Sequence, residues 1–100
     1  FRRGLFRSKF RSAVDNLILP QLQKFAPELI IISAGFDAHR RDPLAGLELG
    51  ATDFGLVTRK LIDAAHATAQ GRIVSVLEGG YDLQGLQESV AEHVTALMGA

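Results

Sequence analysis

The chain has 100 residues, with 11 Lys and Arg against 11 Asp and Glu, so its formal net charge is zero. A hydrophobic fraction of 47% is ordinary for a folded globular domain. A chain of this length buries roughly two thirds of its unfolded surface, which allows one modest core and no second domain. The absence of cysteine excludes disulfides, zinc fingers, iron–sulfur clusters and thiol nucleophiles, and we expect a cytoplasmic location.

The first eleven residues carry five of the eleven basic side chains, no acidic one and three Phe. Lys, Arg and aromatic side chains together are compatible with nucleic acid or a membrane surface. We favour a solvated start of a helix or a cut end, because the rest of the chain is net acidic. The longest apolar run, Leu29–Ile32, is far shorter than the roughly 20 residues that span a bilayer. We therefore expect neither a nucleic acid nor a membrane as partner.

Hydrophobic periodicity predicts a helix and then a strand in the first part of the chain. The helix is expected to begin at Ser8 or Ser12 and to run to about Phe25, with a kink at Pro20. Its expected buried face consists of Phe10, Val14, Leu17, Ile18, Leu22 and Phe25. The strand covers Glu28–Ser33, and because its apolar residues are consecutive, both of its faces should be covered, as in a parallel sheet.

The second half of the chain predicts another helix, another strand and a last helix. Thr52 is the expected N-cap of a helix that runs to about Ala69. A strand over Arg72–Leu77 ends at the pair Gly79–Gly80, and the last helix covers about Leu83–Met98. The expected buried stripes are Phe54, Val57, Leu61, Ile62 and Ala65 in the first of these helices, and Leu86, Val90, Val94 and Leu97 in the last. This order of elements predicts an α/β fold with a parallel βαβ unit.

Two strands alone do not make a complete parallel sheet. Both edges would stay open, and each doubly apolar strand needs neighbouring strands and helices on both faces. We therefore expect residues 1–100 to form a single partial domain. Either the chain associates with itself or a partner, or further strands of a larger α/β protein complete the sheet.

The loop after the first strand is a candidate metal site, because ligands of open α/β folds bind beyond the carboxyl ends of the strands. Asp37, His39 and Asp42 lie within six positions and offer oxygen and imidazole groups to a divalent metal. The alternative is an Asp that caps a turn and a His that hydrogen-bonds locally.

The loop after the second strand contains Tyr81, the only tyrosine of the chain, directly after Gly79–Gly80. Its phenol would be able to donate a hydrogen bond to a developing oxyanion, because the two glycines allow a substrate to approach the backbone. The alternative, which the residues alone favour, is a tight turn with Tyr81 packed against the sheet.

Three segments resemble the histone deacetylase superfamily, in particular its bacterial class II-like members, the acetoin-utilisation or deacetylase-like amidohydrolase proteins. They are Pro27–His39 with the run SAGFDAH, Asp42–Leu44, and Leu77–Leu83 with the run EGGYD. The match keeps order and spacing over about residues 10–98 and is weak over residues 1–11. The resemblance implies a βαβ fragment of an arginase-like three-layer α/β/α fold with a parallel sheet, and a zinc hydrolase that removes acetyl groups from acylated amines.

The same resemblance implies the roles of single residues. Asp37 matches a zinc ligand supplied by the SAGFDAH loop, in which case His39 is not a ligand. Tyr81 matches the catalytic tyrosine that stabilises the tetrahedral oxyanion opposite the metal. The positions that match the wall of the acyl-lysine tunnel are Leu44, Gly79 and Gly80.

The resemblance also implies that part of the site lies elsewhere. The family's other zinc ligands, an Asp-x-His pair, and its His-His dyad lie upstream, and this sequence contains no His-His pair. His66 and His93 lie on predicted helices and are expected to be surface or interface residues. We expect this chain to be the C-terminal third of a Zn²⁺-dependent deacetylase acting on acetyl-lysine or an acetylated amine, and to be inactive alone. The alternative is a stand-alone, non-catalytic interaction protein derived from the same fold.

Overall fold

A computed structural model describes residues 2–36 and 49–99, with side chains described from Arg7 onward. The elements are α1 (Arg2–Ala13), a π-helical segment (Val14–Ile18), α2 (Leu19–Phe25), β1 (Ile30–Gly35), α3 (Ala51–Thr68), β2 (Ile73–Gly79) and α4 (Leu83–Met98). The two strands pair in parallel, so the predicted order and the predicted sheet type are confirmed. Within these residues no helix is both long and apolar enough to cross a membrane.

The first helical region begins at Arg2, well before the serines that the sequence suggested as caps. Its regular α-helical pattern is interrupted before Pro20: the Leu19 N–H bonds the carbonyl of Val14, five residues back, which is the pattern of a π turn. Proline has no N–H to continue the regular ladder, and the wider turn lies directly before it. The region ends at Ala26, whose N–H bonds the Leu22 carbonyl at 3.0 Å.

The expected apolar face of this region is only partly buried. Val14 is buried and Leu22 packs against the core, but Leu17, Ile18 and Phe25 are exposed. A π turn adds a residue to one turn, so positions before and after it no longer fall on one stripe with a period of 3.6. The prediction of a buried face relied on an uninterrupted period and is wrong for these three residues.

The core lies between one face of the sheet and α3. Ile30 of β1 packs with Ala65 and Ala69 at the end of α3, and Ile32 and Ile73 lie against this cluster. In a strand, alternate side chains point to the same face, so these three isoleucines define what we call the inner face of the sheet.

The opposite face of the sheet, which we call the open face, is not covered by any described residue. Ile31 is 64% exposed, and Val74 and Val76 are 49% and 51% exposed. The described residues therefore cover one face of the strands, and the cover expected on the other face stays a prediction about a partner or a larger protein. The fold observed is α/β with a parallel sheet and helices against its inner face, and the third layer of an arginase-like arrangement remains a prediction.

Helix α3 begins two residues before the predicted position, with Gly50 as its N-cap in place of Thr52. Asp53 closes this end, because its Oδ2 accepts the Gly50 N–H at 2.8 Å and its own N–H donates to the Gly50 carbonyl at 3.0 Å. At the other end Gly71, with φ of 75°, donates its N–H to the Ala65 carbonyl at 3.1 Å.

Helix α4 has the predicted bounds, and its N-cap is Asp82, whose carboxylate accepts the Gly85 N–H at 2.7 Å. Its buried stripe differs from the predicted one and consists of Gly85, Ser89, His93 and Ala96. Val94, which the apolar pattern placed inside, is 42% exposed. Most of this stripe is made of small residues, which allow α4 to approach α3 closely.

Candidate active site

The carboxyl ends of the two strands lie side by side at one edge of the sheet, which we call the carboxyl edge. Gly35 pairs with Gly79, and the Phe36 N–H donates to the Gly79 carbonyl at 2.8 Å. A register shift just before Gly35 makes Glu78 the extra residue of a bulge. The chain segments that follow β1 and β2 therefore leave from the same edge, as the sequence analysis predicted.

Gly80 fixes the path of the chain after β2. Its φ is 134°, and a Cβ there would lie 3.0 Å from Leu86 Cδ1 and 3.3 Å from Phe36 Cβ. Only glycine adopts this conformation without strain, and only glycine fits the space. The turn therefore depends on glycine for both its conformation and its packing.

Tyr81 is held between Gly80 and the N-cap Asp82 of α4. The backbone on both sides is thus defined, while the side chain is 59% exposed. This exposure does not fit the alternative in which Tyr81 packs against the sheet. Tyr81 thus follows the carboxyl edge with a largely exposed side chain.

Three predicted site residues, Asp37, His39 and Leu44, lie outside the described residues, as does Asp42. In residues 2–36 and 49–99 no three His, Cys, Asp or Glu side chains lie close enough together to hold a metal ion. Of the predicted residues, the structure brings together Gly79, Gly80 and Tyr81. Asp37 comes directly after Phe36 in the sequence.

His93 is buried, and the expectation that it lies at the surface or an interface was wrong. Its Nδ1 lies 2.7 Å from Thr58 Oγ1 on α3, and its Nε2 lies 2.7 Å from Ser75 Oγ on β2. The imidazole also makes an edge contact with the ring of Phe36 at a centroid distance of 5.6 Å. Phe36 contacts Phe54 in the same manner at 5.1 Å.

Burial lowers the pKa of His93, because its cationic form would be removed from water. The sequence signal that would have located it is the spacing of Ser89, His93 and Ala96, which share one side of α4 with Gly85. The predicted stripe consisted instead of the apolar residues that each lie one position further along the helix, namely Leu86, Val90, Val94 and Leu97. His66, by contrast, is exposed as expected.

Asp53 is a buried carboxylate that connects the basic start of the chain to α3. Arg7 Nε donates to its Oδ2 at 2.8 Å, and Arg11 Nε donates to its Oδ1 at 2.9 Å. Burial by itself would raise the pKa of Asp53, but the Gly50 amide and the two arginines outweigh this and lower it. Two of the five basic side chains in residues 1–11 thus join α1 to α3.

The family comparison agrees with the motifs. The chain matches the family model of the histone deacetylase domain over residues 1–97, a range that includes the basic start. The chain therefore belongs to the histone deacetylase family, and the resemblance that the sequence suggested is confirmed.

Individual members of this family are similar to the chain over most of its length. It is 43% identical over 89 residues to "Histone deacetylase 10, chloroplastic" of Oryza sativa subsp. japonica, a match that covers 89% of this chain and 20% of that protein. It is 43% identical over 72 residues to the histone deacetylase-like amidohydrolase of Pseudomonas aeruginosa, covering 72% of this chain and 19% of that protein. The crystal structure of the HDA15 HD domain superposes with a TM-score of 0.85 at 32% identity, covering 93% of this chain and 25% of that one. The chain thus spans about a fifth of the length of these curated relatives, less than the third expected.

Proposed function

We propose that these residues form the C-terminal segment of the catalytic domain of a zinc-dependent deacetylase. The substrate would be acetyl-lysine or another acetylated amine, and the 100-residue chain would be inactive alone. The observation that carries the proposal is the pairing of Gly35 with Gly79, which brings the segments after both strands to one edge in a chain of this family. A cytoplasmic location is part of the same proposal.

Each residue of the carboxyl edge has a role in this proposal. Tyr81 donates a hydrogen bond to the oxyanion that forms when water attacks the acetyl carbonyl. Gly79, Gly80 and Leu44 line the channel that receives the acylated amine. The geometry of Gly80 supports this assignment, because a side chain there would strain the backbone at its φ of 134° and would crowd Leu86 and Phe36 beside the turn that carries Tyr81.

Zinc enters the proposal through Asp37, which would supply one carboxylate ligand. A catalytic zinc site needs three protein ligands, and the described residues contain no cluster that supplies them. The remaining ligands would come from outside this chain, as the resemblance to the family implies, and the segment would then not form the site by itself. When bound, zinc would polarise the acetyl carbonyl and activate the attacking water.

Two substitutions in the longer protein that contains this segment test these roles. Tyr81→Phe removes only the hydroxyl, so we expect turnover of an acetylated peptide to fall about 100-fold or more, with bound zinc unchanged. Asp37→Ala should lose both turnover and zinc, measured by metal analysis of the purified protein. If Tyr81→Phe kept full activity, the proposed hydrogen bond from Tyr81 to the oxyanion would be wrong.

The open face of the sheet also fits a non-catalytic protein that associates through it, with a second copy or with the rest of a parent domain. The two functions differ in the size of the native gene product. Antibody capture and intact-mass measurement from source cells would give a mass several times that of 100 residues for a deacetylase. A mass equal to that of these 100 residues would instead support the interaction protein.

A further inference from the structure

The hydrogen-bond partners of His93 determine its tautomer. Thr58 Oγ1 lies 2.6 Å from the Phe54 carbonyl, which only accepts, so the Thr58 hydroxyl proton is directed at that carbonyl. The same oxygen must therefore accept from His93 Nδ1, and Nδ1 carries the proton. In the neutral ring Nε2 is then the acceptor, and Ser75 donates to it. Each of the two contacts thus has one donor and one acceptor.

This imidazole connects three elements, since Thr58 is on α3, Ser75 is on β2 and His93 itself is on α4. In the position that makes both hydrogen bonds, its ring lies against Phe36 with the ring centroids 5.6 Å apart. A buried ring with both nitrogens bonded has little freedom to rotate, so it provides a fixed support for Phe36.

Phe36 is in turn the residue that joins the two halves of the carboxyl edge. Its N–H bonds the Gly79 carbonyl, and its Cβ lies in the space that a side chain at Gly80 would need. Asp37 follows it directly in the chain, and Tyr81 follows Gly80. A shift of Phe36 would therefore disturb the Gly79–Gly80 turn that precedes Tyr81.

We propose that His93, as the neutral Nδ1–H tautomer held between Thr58 and Ser75, is a positioning residue that supports Phe36 and so fixes the Gly79–Gly80 turn that precedes Tyr81. This inference rests on the proposed function, because the position of this turn matters for catalysis only if Tyr81 acts on the substrate. His93 acts through Phe36 and does not touch the substrate.

The first test is the ¹⁵N spectrum of the imidazole nitrogens in the longer protein labelled at histidine, with His93→Gln identifying the His93 signals. We expect a protonated Nδ1 and an unprotonated Nε2. An Nε2–H tautomer or a cation at neutral pH would overturn the proposal, whatever the activity of the protein.

The second test compares kcat and KM for an acetylated peptide in two variants of His93. His93→Gln keeps one donor and one acceptor, and we expect its kcat to stay within about threefold of wild type. His93→Leu keeps the bulk and loses both bonds, and we expect kcat to fall at least about tenfold with KM nearly unchanged, as for a small misplacement of catalytic groups. His66→Gln, at an exposed histidine, is the matched control and should equal wild type.

A His93→Leu protein with wild-type kcat, or a His93→Gln protein as impaired as His93→Leu, would contradict the positioning role. If His93→Leu does not fold, Ser75→Ala removes a single donor and should lower kcat a few-fold, and an unchanged kcat would overturn the proposal. Wild-type protein without deacetylase activity would instead refute the proposed function. In that case the NMR amide signals of Gly79 and Gly80 would still test whether His93 supports Phe36. We expect these signals to shift in His93→Leu and to stay in place in His66→Gln.

Discussion

The two faces of the sheet contain the same kinds of residue and lie in opposite environments. On the inner face Ile30 is 7% exposed and packs against α3, whereas Ile31, its neighbour on the open face, is 64% exposed. The exposure of these isoleucines therefore depends on whether another element covers their face of the sheet, because the side chains themselves are equally apolar. An apolar face without cover on a globular domain indicates an interface, which agrees with a segment that spans about a fifth of its relatives.

The largest expected effect is at Ile30. Ile30→Ala should destabilise the chain by about 2 to 5 kcal/mol, because it removes buried methyl groups and leaves a cavity beside Ala65 and Ala69. Ile31→Ala is the matched control on the open face and should cost less than about 0.5 kcal/mol in the same 100 residues. Urea unfolding followed by circular dichroism measures both.

Measured in the longer protein that contains this segment, the same pair tests whether another layer covers the open face. If another layer covers the open face there, Ile31→Ala should cost about 2 to 5 kcal/mol, as Ile30→Ala does. A small effect at Ile31 in both proteins would show that the open face stays uncovered, which would contradict a buried place in a larger sheet.

A second prediction concerns the charges that hold the helical layer together. Asp53→Asn should destabilise the chain by about 2 kcal/mol, since it weakens charge-assisted bonds from Arg7 and Arg11. The loss is limited, because both arginines are about two fifths exposed and regain water.

The pH dependence of Asp53 has a definite sign. Its folded pKa is lowered, so its contribution to stability is complete above the unfolded value of about 3.9 and is lost as pH falls through the folded pKa. Unfolding midpoints below pH 4 should therefore fall less steeply in Asp53→Asn than in wild type. If the unfolding midpoints of the two proteins fell equally steeply with pH, the ionised form of Asp53 would not be stabilised by the folded state.

His93 gives a third prediction in a separate pH range. Its folded pKa is lowered, so the unfolded chain binds its proton first as pH falls below about 6.5, and stability decreases from there down to the folded pKa. The slope attributable to one proton is at most about 1.4 kcal/mol per pH unit. His93→Gln should remove this slope between pH 6.5 and 5, and a slope that persists would assign it to another group.

Local sequence signals predicted the elements that depend on local interactions. Helix α4 has the predicted bounds because Asp82 caps it and its period is unbroken. The parallel pairing followed from two short apolar runs separated by a helix, and the two loop motifs identified the family. Gly79 and Gly80 ended the strand as predicted, since glycine weakens a strand and tolerates the positive φ that follows.

The features that sequence reasoning missed depend on contacts between distant residues. Arg7 and Asp53 are 46 positions apart, and His93 meets Thr58 across 35 positions. No periodicity in a window of one helix contains such pairs, and a histidine on a helix is as compatible with solvent as with two buried hydroxyls. The exposure of Leu17 and Ile18 was missed for another reason, because a π turn breaks the period on which the prediction relied.

The smallest expected effect comes from two serines on opposite faces of the sheet. Ser75 donates to His93 Nε2 on the inner face, so Ser75→Ala should cost about 1 kcal/mol by leaving a buried acceptor without its partner. Ser33, the matched control on β1, is exposed on the open face, and Ser33→Ala should change stability by less than about 0.5 kcal/mol. Urea unfolding at pH 8, where His93 is neutral, isolates the hydrogen bond from the titration. Equal effects at both positions would mean that the Ser75 hydroxyl adds nothing to stability and that the two faces differ in apolar packing alone.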